Sequence, residues 1–80
     1  MGFFKAIGKL AARKTNDVKH NNTLKNAPKK TYKEVGKELK KAEKSGKYVN
    51  GSELYSQKLK KNQNKENQRY NNTNKFIDDL

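Results

Sequence analysis

The sequence predicts a small, mainly α-helical and extended protein with a helix–turn–helix hairpin and little independent core. Leu, Ile, Val and Phe together supply 14 of the 80 residues, while the formal net charge is +12. A chain with so few apolar side chains and so much charge buries too little surface to fold by itself. Apolar residues nevertheless recur at helical spacing in three segments. We therefore expect helices that are ordered by assembly partners.

Residues 1–14 are the most apolar segment and predict an amphipathic cationic helix. Phe3, Ile7 and Leu10 recur at steps of three or four residues, Phe4 lies beside them, and lysines occupy most of the other side. Such a short helix is not stable alone in water, so it needs a surface to lie against. These four apolar residues are therefore predicted to dock onto a partner.

Two kinds of partner suit this first helix. The segment MGFFKAIGKLAARK resembles the amphipathic cationic helices of membrane-active peptides, and that resemblance implies contact with an anionic lipid surface. A helix that docks into a groove of a protein uses the same apolar residues as anchors. Since nothing else in the sequence points to a membrane, docking to protein is the preferred interpretation.

Residues 15–30 predict an irregular basic linker. They are rich in Asn, Thr and Lys and show no helical or strand period. Pro28 also disfavours helical geometry at Ala27. His20 lies in this segment as the one histidine of the chain, and without cysteine or a second histidine it has no partners for a metal or catalytic site. We therefore expect His20 to be a solvated polar side chain.

Residues 31–62 predict a helical hairpin. Its first helix begins with a capping box formed by Thr31 and Glu34, in which each side chain accepts a hydrogen bond from the free backbone amide of the other residue. It ends near Gly46, because glycine suits the left-handed position that closes a helix. The second helix begins after a turn at 48–51 and is predicted to have Ser52 as its N-cap.

Residues 63–80 predict a polar segment that ends in a docking tail. The segment loses nearly all apolar content before its last five residues, where two aspartates stand among apolar side chains. Such a tail can place its apolar side chains in a groove of a neighbouring subunit. The predicted docking residues of the tail are Phe76, Ile77 and Leu80.

The basic residues predict contact with nucleic-acid phosphates or acidic protein surfaces. Lysine supplies 18 of the 20 basic residues. A lysine ammonium is a point charge that suits phosphate, whereas reading of base edges prefers arginine, so the contact is expected to be independent of base sequence. A polyanion would also relieve self-repulsion and release counterions. The predicted contact residues are Lys29, Lys30, Lys33, Lys37, Lys40, Lys41, Lys44, Lys58, Lys61, Lys65 and Arg69.

These features predict a non-enzymatic minor structural or assembly protein of a large nucleic-acid-containing particle, with a phage virion as the leading candidate. No catalytic residue, metal or cofactor is expected, because glycine-rich phosphate loops and nucleophile motifs are missing from the sequence. The expected partners are protein subunits of the assembly and nucleic acid, and the chain would be made in the host cytoplasm. One alternative is a ribosome-associated RNA-binding protein, which the small number of arginines disfavours. The others are a membrane-surface protein anchored by residues 1–14 and an inhibitor that binds a host protein.

Overall fold

Two long helices make up almost the whole protein. The computed structural model describes the backbone of residues 2–80, with side chains from Lys5 onward. Helix α1 spans Gly2–Lys44 and helix α2 spans Gly51–Asp78. They pack against each other as a hairpin, and 89% of the chain is helical. The molecule measures 64 × 17 × 16 Å. The predictions of a mainly helical class, a helical hairpin and an extended shape are confirmed.

Helix α1 runs the full length of the molecule. At about 1.5 Å per residue, 43 helical residues span about 64 Å, which matches the longest dimension. Helix α2 lies antiparallel to it, as shown by the hydrogen bond from Asn62 Nδ2 to Thr31 Oγ1 (2.9 Å). Lys9 Nζ donates to the carbonyl oxygen of Asp78 at 3.2 Å, at the end of α2. The first two turns of α1 therefore extend beyond α2.

The prediction of an irregular linker at 15–30 is wrong, because α1 continues through it, including Pro28. Within a helix, proline removes one backbone hydrogen bond and its ring crowds the preceding turn, at a cost of about 3 kcal/mol. Helix α2 covers the neighbouring turns, so that Ala27 and Thr31 are 5% and 0% exposed, whereas Pro28 faces solvent. Packing against α2 thus offsets the weak helix propensity of this segment.

The predicted capping box is also wrong, since Thr31 lies in the middle of α1. Its hydroxyl Oγ1 donates to the carbonyl oxygen of Ala27 at 2.7 Å and accepts from Asn62. A buried hydroxyl needs such partners, and both its donor and its acceptor capacity are used. Thr31 therefore joins the two helices instead of starting one.

The end of α1 follows the prediction at Gly46. This glycine has φ 68° and is the one residue of the described chain with positive φ. The Lys47 amide donates to the carbonyl oxygen of Ala42 at 2.9 Å, and the Gly46 amide donates to that of Glu43 at 3.2 Å. These two bonds define a Schellman motif, which satisfies the last carbonyls of the helix.

The N-cap of α2 lies two residues before the predicted N-cap, Ser52. Asn50 is the N-cap, and its Oδ1 accepts hydrogen bonds from the amides of Ser52 (3.1 Å) and Glu53 (3.3 Å). Asparagine is as good a cap as serine, and it reaches the second and third helical amides. The negative charge of Glu53 adds a favourable interaction with the helix dipole.

Helix α2 also continues far beyond the predicted end of the hairpin at residue 62. It is helical to Asp78 because α1 remains helical opposite it and supplies a surface along the whole length. The buried apolar side chains among the described residues are Ala27, Val35 and Ile77, at 5%, 6% and 3% exposure. Polar residues occupy much of the remaining contact between the helices.

Candidate nucleic-acid interface

The predicted contact lysines of α1 lie on one solvent-exposed stripe of the helix, and Lys30 stands at the edge of that stripe toward α2. At about 100° per residue, they share an arc of about 120°, and every residue of 29–44 within that arc is a lysine. The stripe is about 22 Å long, at about 1.5 Å per residue. The seven exposed members of this lysine stripe are Lys29, Lys30, Lys33, Lys37, Lys40, Lys41 and Lys44.

The charges of the lysine stripe are not neutralised within the described part of the chain. None of the ion pairs found there includes a member of the stripe. Lysines three or four residues apart on one helix repel each other by about 0.2–0.5 kcal/mol per pair. The stripe is therefore a concentrated positive surface that opposes the folded state and favours an anionic partner.

The predicted contact residues of α2 divide into two groups. Lys61 and Lys65 are exposed. Lys58 Nζ instead lies 2.8 Å from Glu38 Oε1, and the hydrogen bond to that carboxylate raises the pKa of Lys58. Arg69 is also engaged within the hairpin, since its guanidinium binds Glu66. The exposed basic surface therefore includes Lys61 and Lys65. Lys58 and Arg69 instead form ion pairs with carboxylates of the hairpin.

Between the helices, in the half of the hairpin away from the turn, lies a polar cluster that the sequence did not predict. We use this name for a set of six residues in which Asn16 and Glu66 are buried and the others partly so. The members of the polar cluster are Asn16, His20, Glu66, Arg69, Tyr70 and Asn74.

Glu66 is the anion at the centre of the polar cluster. Its side chain is 3% exposed. Arg69 Nε lies 2.7 Å from Oε1 and 3.0 Å from Oε2, and His20 Nδ1 lies 3.2 Å from Oε2. The hydrogen bond from Arg69, followed by that from His20, outweighs burial and lowers the pKa of the Glu66 carboxyl. Glu66 therefore holds the cluster together as an ionised acceptor.

Asn16 links the rest of the polar cluster across the helix interface. Its Nδ2 donates to Asn74 Oδ1 at 3.0 Å and to the Tyr70 carbonyl oxygen at 3.3 Å. Its Oδ1 accepts from Arg69 Nη1 at 3.0 Å. Both ends of this buried amide are satisfied, so Asn16 specifies one alignment of the two helices.

The expectation that His20 is a solvated side chain is wrong. The His20 ring stacks on Tyr70 with 4.1 Å between ring centroids and an interplanar angle of 24°. The Tyr70 hydroxyl donates to Asp17, and the His20 side chain is 16% exposed. A helical course through 15–30 is what turns His20 toward α2. The sequence signal was a four-residue spacing from Asn16 to His20, hidden because both residues are polar.

A groove of about 240 Å³ lies between the helices beside the polar cluster. Lys30 and Lys65 stand on its opposite sides, one on each helix. The other residues that line the groove are Thr23, Ala27, Asn62, Glu66 and Arg69. The groove thus brings together two predicted contact lysines that are distant in sequence. Within the described residues, no group of three His, Cys, Asp or Glu side chains is placed to hold a metal ion.

The predicted docking residues do not all remain accessible. Ile7, Leu10, Phe76 and Leu80 are 48%, 66%, 68% and 44% exposed. Ile77 is 3% exposed and packs inside the hairpin, because α2 stays helical up to the tail and turns this side chain inward. The prediction that it docks to a partner is therefore corrected.

The side chains of Phe3 and Phe4, the remaining predicted docking residues, lie outside the described residues. The exposed apolar residues of the first half of α1 extend to Val18, which is 52% exposed. At about 100° per residue, Ile7 and Val18 point away from the side that carries the buried Asn16. This end of α1 therefore presents apolar side chains outward and polar ones toward α2.

Comparison with known proteins found no match of any kind. No family model matches the chain, and neither a curated protein nor a solved structure matches it. In the part of the chain that the structure describes, neither helix combines the length and the apolar character needed to cross a bilayer. The function has to be inferred from the geometry of the basic and apolar surfaces.

Proposed function

We propose that this chain is a non-enzymatic structural or assembly protein of a large nucleic-acid-containing particle, with a phage virion as the leading setting. In this proposal it binds the phosphate backbone of nucleic acid through the lysine stripe and attaches to protein subunits through the exposed apolar residues of α1. The observation that carries the proposal is the composition of the stripe. Within residues 29–44, all residues in one arc of α1 are lysines, and none of them forms an ion pair among the described residues.

Counterion release supplies the free energy for this binding. A DNA duplex carries one negative charge per about 1.7 Å of its axis when both strands are counted, so a length of duplex equal to the stripe, about 22 Å, carries about a dozen phosphates. Each lysine that neutralises a phosphate releases condensed ions into solution. Contact through point charges carries no information about base sequence, since phosphate contacts position a protein without reading the bases.

The apolar surface at the start of α1 supports the assembly part of the proposal. Ile7 and Leu10 belong to the two turns near or beyond the end of α2, and they are 48% and 66% exposed. Apolar side chains on a helix that protrudes from its hairpin suit insertion into a groove of another protein. The same surface would suit an anionic membrane, which is the alternative that this observation favours.

A matched pair of charge variants tests the phosphate contact. In the stripe variant, Lys29, Lys33, Lys37, Lys40 and Lys44 are replaced by Gln. In the control variant the same change is made at five exposed lysines outside the stripe, which are Lys5, Lys14, Lys19, Lys60 and Lys75. Both variants have the same net charge, so a difference between them reports on position and not on total charge.

The measurement is fluorescence anisotropy of a labelled duplex across a salt series. We expect the stripe variant to lose more affinity than the control, with the slope of log K against log salt falling by about 0.9 for each contact removed. Equal losses in both variants would show that only the total charge matters. Absence of binding by the wild type at low salt would contradict the proposed function itself.

A vesicle assay distinguishes the two docking partners. Sedimentation with vesicles of phosphatidylserine and phosphatidylcholine is compared for the wild type and for a variant with Ile7→Ser and Leu10→Ser. Docking to protein predicts no difference between the two chains, because vesicle binding then reflects lysine charge alone. Vesicle binding that is abolished in the variant would favour the membrane alternative.

A further inference from the structure

We infer that the groove between Lys30 and Lys65 receives one nucleotide of a single-stranded nucleic acid, with its phosphate between the two lysines and its base against the groove floor. This inference rests on the proposed function and narrows its ligand from nucleic acid in general to a single strand. It is carried by the shape, the lining and the charge of the groove.

The shape and lining of the groove suit a base more than a bare phosphate. Its floor includes the methyl group of Ala27, which is 5% exposed, and its wall includes Thr23. Lys30 of α1 and Lys65 of α2 also line it. A space of about 240 Å³ with an apolar floor admits one unstacked base but not a duplex, whose bases are stacked on each other.

Arg69 adds a planar group to the same groove. Its guanidinium is held in place by Glu66 through Nε and by Asn16 through Nη1. Guanidinium planes, like aromatic rings, stack on exposed bases. A plane that is already oriented by two buried partners loses little freedom when a base stacks on it.

The charge within the groove favours an anionic ligand. Glu66 also lines the groove, but its carboxylate is occupied by Arg69 and by His20. Lys30 and Lys65 form no ion pair among the described residues. Two cations from opposite helices therefore remain to bind the phosphate that precedes or follows the base.

An unused donor of Arg69 points to the same conclusion. Its Nη2 is buried and, among the described residues, has no hydrogen-bond acceptor. A buried donor without a partner is costly, so a ligand that supplies an acceptor gains affinity. The Arg69 side chain is 32% exposed, so part of it remains open to a ligand in the groove.

Three labelled twelve-nucleotide probes test the inference by fluorescence anisotropy. They are a single strand, the same strand with abasic sites at every position, and the corresponding duplex. For the wild type we expect the normal strand to bind about tenfold more tightly than the abasic strand, since one stacked base contributes that much. Equal affinity for the two strands would overturn the inference, because it would leave no base in the groove.

A substitution that fills the groove without changing charge provides the second test. Thr23→Leu places a larger side chain in the groove at an exposed helical position. We expect this variant to lose the preference for the normal strand over the abasic one and to keep its duplex affinity. Thr15→Leu is the matched control, since Thr15 is exposed on the same helix and does not line the groove.

Lys65→Gln and Lys60→Gln form a third comparison that does not depend on packing. Both lysines are exposed on α2, and only Lys65 lines the groove. We expect the Lys65 variant to lose about threefold more single-strand affinity than the Lys60 variant. Equal losses of single-strand affinity in the two lysine variants would contradict binding in the groove. So would a Thr23→Leu variant that still prefers the normal strand to the abasic strand. Neither result would contradict phosphate binding by the lysine stripe. Failure of the wild type to bind any probe would instead overturn the proposed function.

Discussion

The two halves of the hairpin use their charges in opposite ways. The turn half, residues 25–65, has thirteen lysines and four glutamates, and the open half, residues 5–24 and 66–80, has seven basic and four acidic residues. Within the described chain the turn half forms one ion pair, Lys58 with Glu38. In the open half three of the four carboxylates contact a donor, namely those of Asp17, Glu66 and Asp78.

The halves also differ in where their apolar residues lie. In the turn half, Ala27 and Val35 are buried against α2. In the open half, Ile7 and Leu10 are exposed and Ile77 is the buried apolar side chain among the described residues, while the polar residues Asn16 and Glu66 are buried between the helices. The difference is one of pairing: ion pairs and hydrogen bonds join the helices in the open half, whereas most lysines of the turn half have no ion-pair partner among the described residues.

The largest expected effect is the loss of the central anion of the open half. Glu66→Ala leaves Arg69 without its carboxylate, and we expect the free energy of unfolding to fall by about 2–3 kcal/mol. Thermal unfolding followed by circular dichroism measures the change. Glu43→Ala removes an exposed carboxylate in the turn half and should change stability by less than about 0.5 kcal/mol. Similar losses in both variants would remove the distinction between the halves.

A smaller effect is expected at the turn itself. Gly46→Ala forces a side chain into φ 68° and should cost about 1–2 kcal/mol. Gly36→Ala is the control, because a methyl group there meets no atom within 4 Å and the helix gains about 0.5–1 kcal/mol in propensity. Urea unfolding of both variants measures whether the free energy of unfolding falls for Gly46→Ala and rises for Gly36→Ala. A loss of stability in both would mean that the middle of α1 depends on glycine as well.

Removal of charge should stabilise the turn half and destabilise the open half. The stripe variant with five Lys→Gln changes should gain about 1 kcal/mol at low salt, because it removes several like-charge pairs. Arg13→Gln should instead lose about 0.2–1 kcal/mol, since Arg13 pairs with Asp78. Thermal unfolding at 10 mM and 500 mM salt measures both. If the stripe variant keeps its gain in free energy of unfolding at high salt, the gain does not come from electrostatic repulsion.

The smallest effect is expected from acid. The pKa of Glu66 is lower in the folded chain than its ordinary value of 4.5, so the unfolded chain takes up the proton first as pH falls. The contribution of Glu66 is therefore present above that value and is lost as pH falls through the folded-state pKa. Urea midpoints between pH 6 and pH 3 should decline more steeply for the wild type than for Glu66→Gln. Equal slopes would contradict this role.

Local patterns were sufficient for several features of this fold. Gly46 closes α1 because only glycine enters the left-handed region without strain, and a glycine can be recognised from the sequence without knowledge of its neighbours in space. The apolar spacing of Ile7 and Leu10 likewise predicts a helix with an apolar side, and in the structure both residues lie on α1 and are exposed. The lysines were recognised as a group, but their alignment in one arc required a helix that runs unbroken from 29 to 44.

Features of the candidate site that depend on the opposite helix could not be predicted. Thr followed three residues later by Glu is a local signal that predicts a helix cap at Thr31. The hydrogen bond from Asn62 on α2 shows instead that Thr31 is a contact inside the helix interface. Arg69 read as one more exposed cation, whereas Glu66 holds it between the helices. A periodicity search counts apolar residues, so it cannot detect a helix interface made of Asn, His and Glu.

The sequence by itself determined the helical class, the charge and the position of the turn, because each depends on residues close to one another in the chain. The tertiary structure alone decided that α1 continues through residues 15–30, that His20 and Arg69 are partly buried between the helices, and that Lys30 and Lys65 line the same groove. The physical reason is that weak helical segments and buried polar groups are stable only in pairs: each helix supplies the hydrogen bonds and the surface that the other lacks.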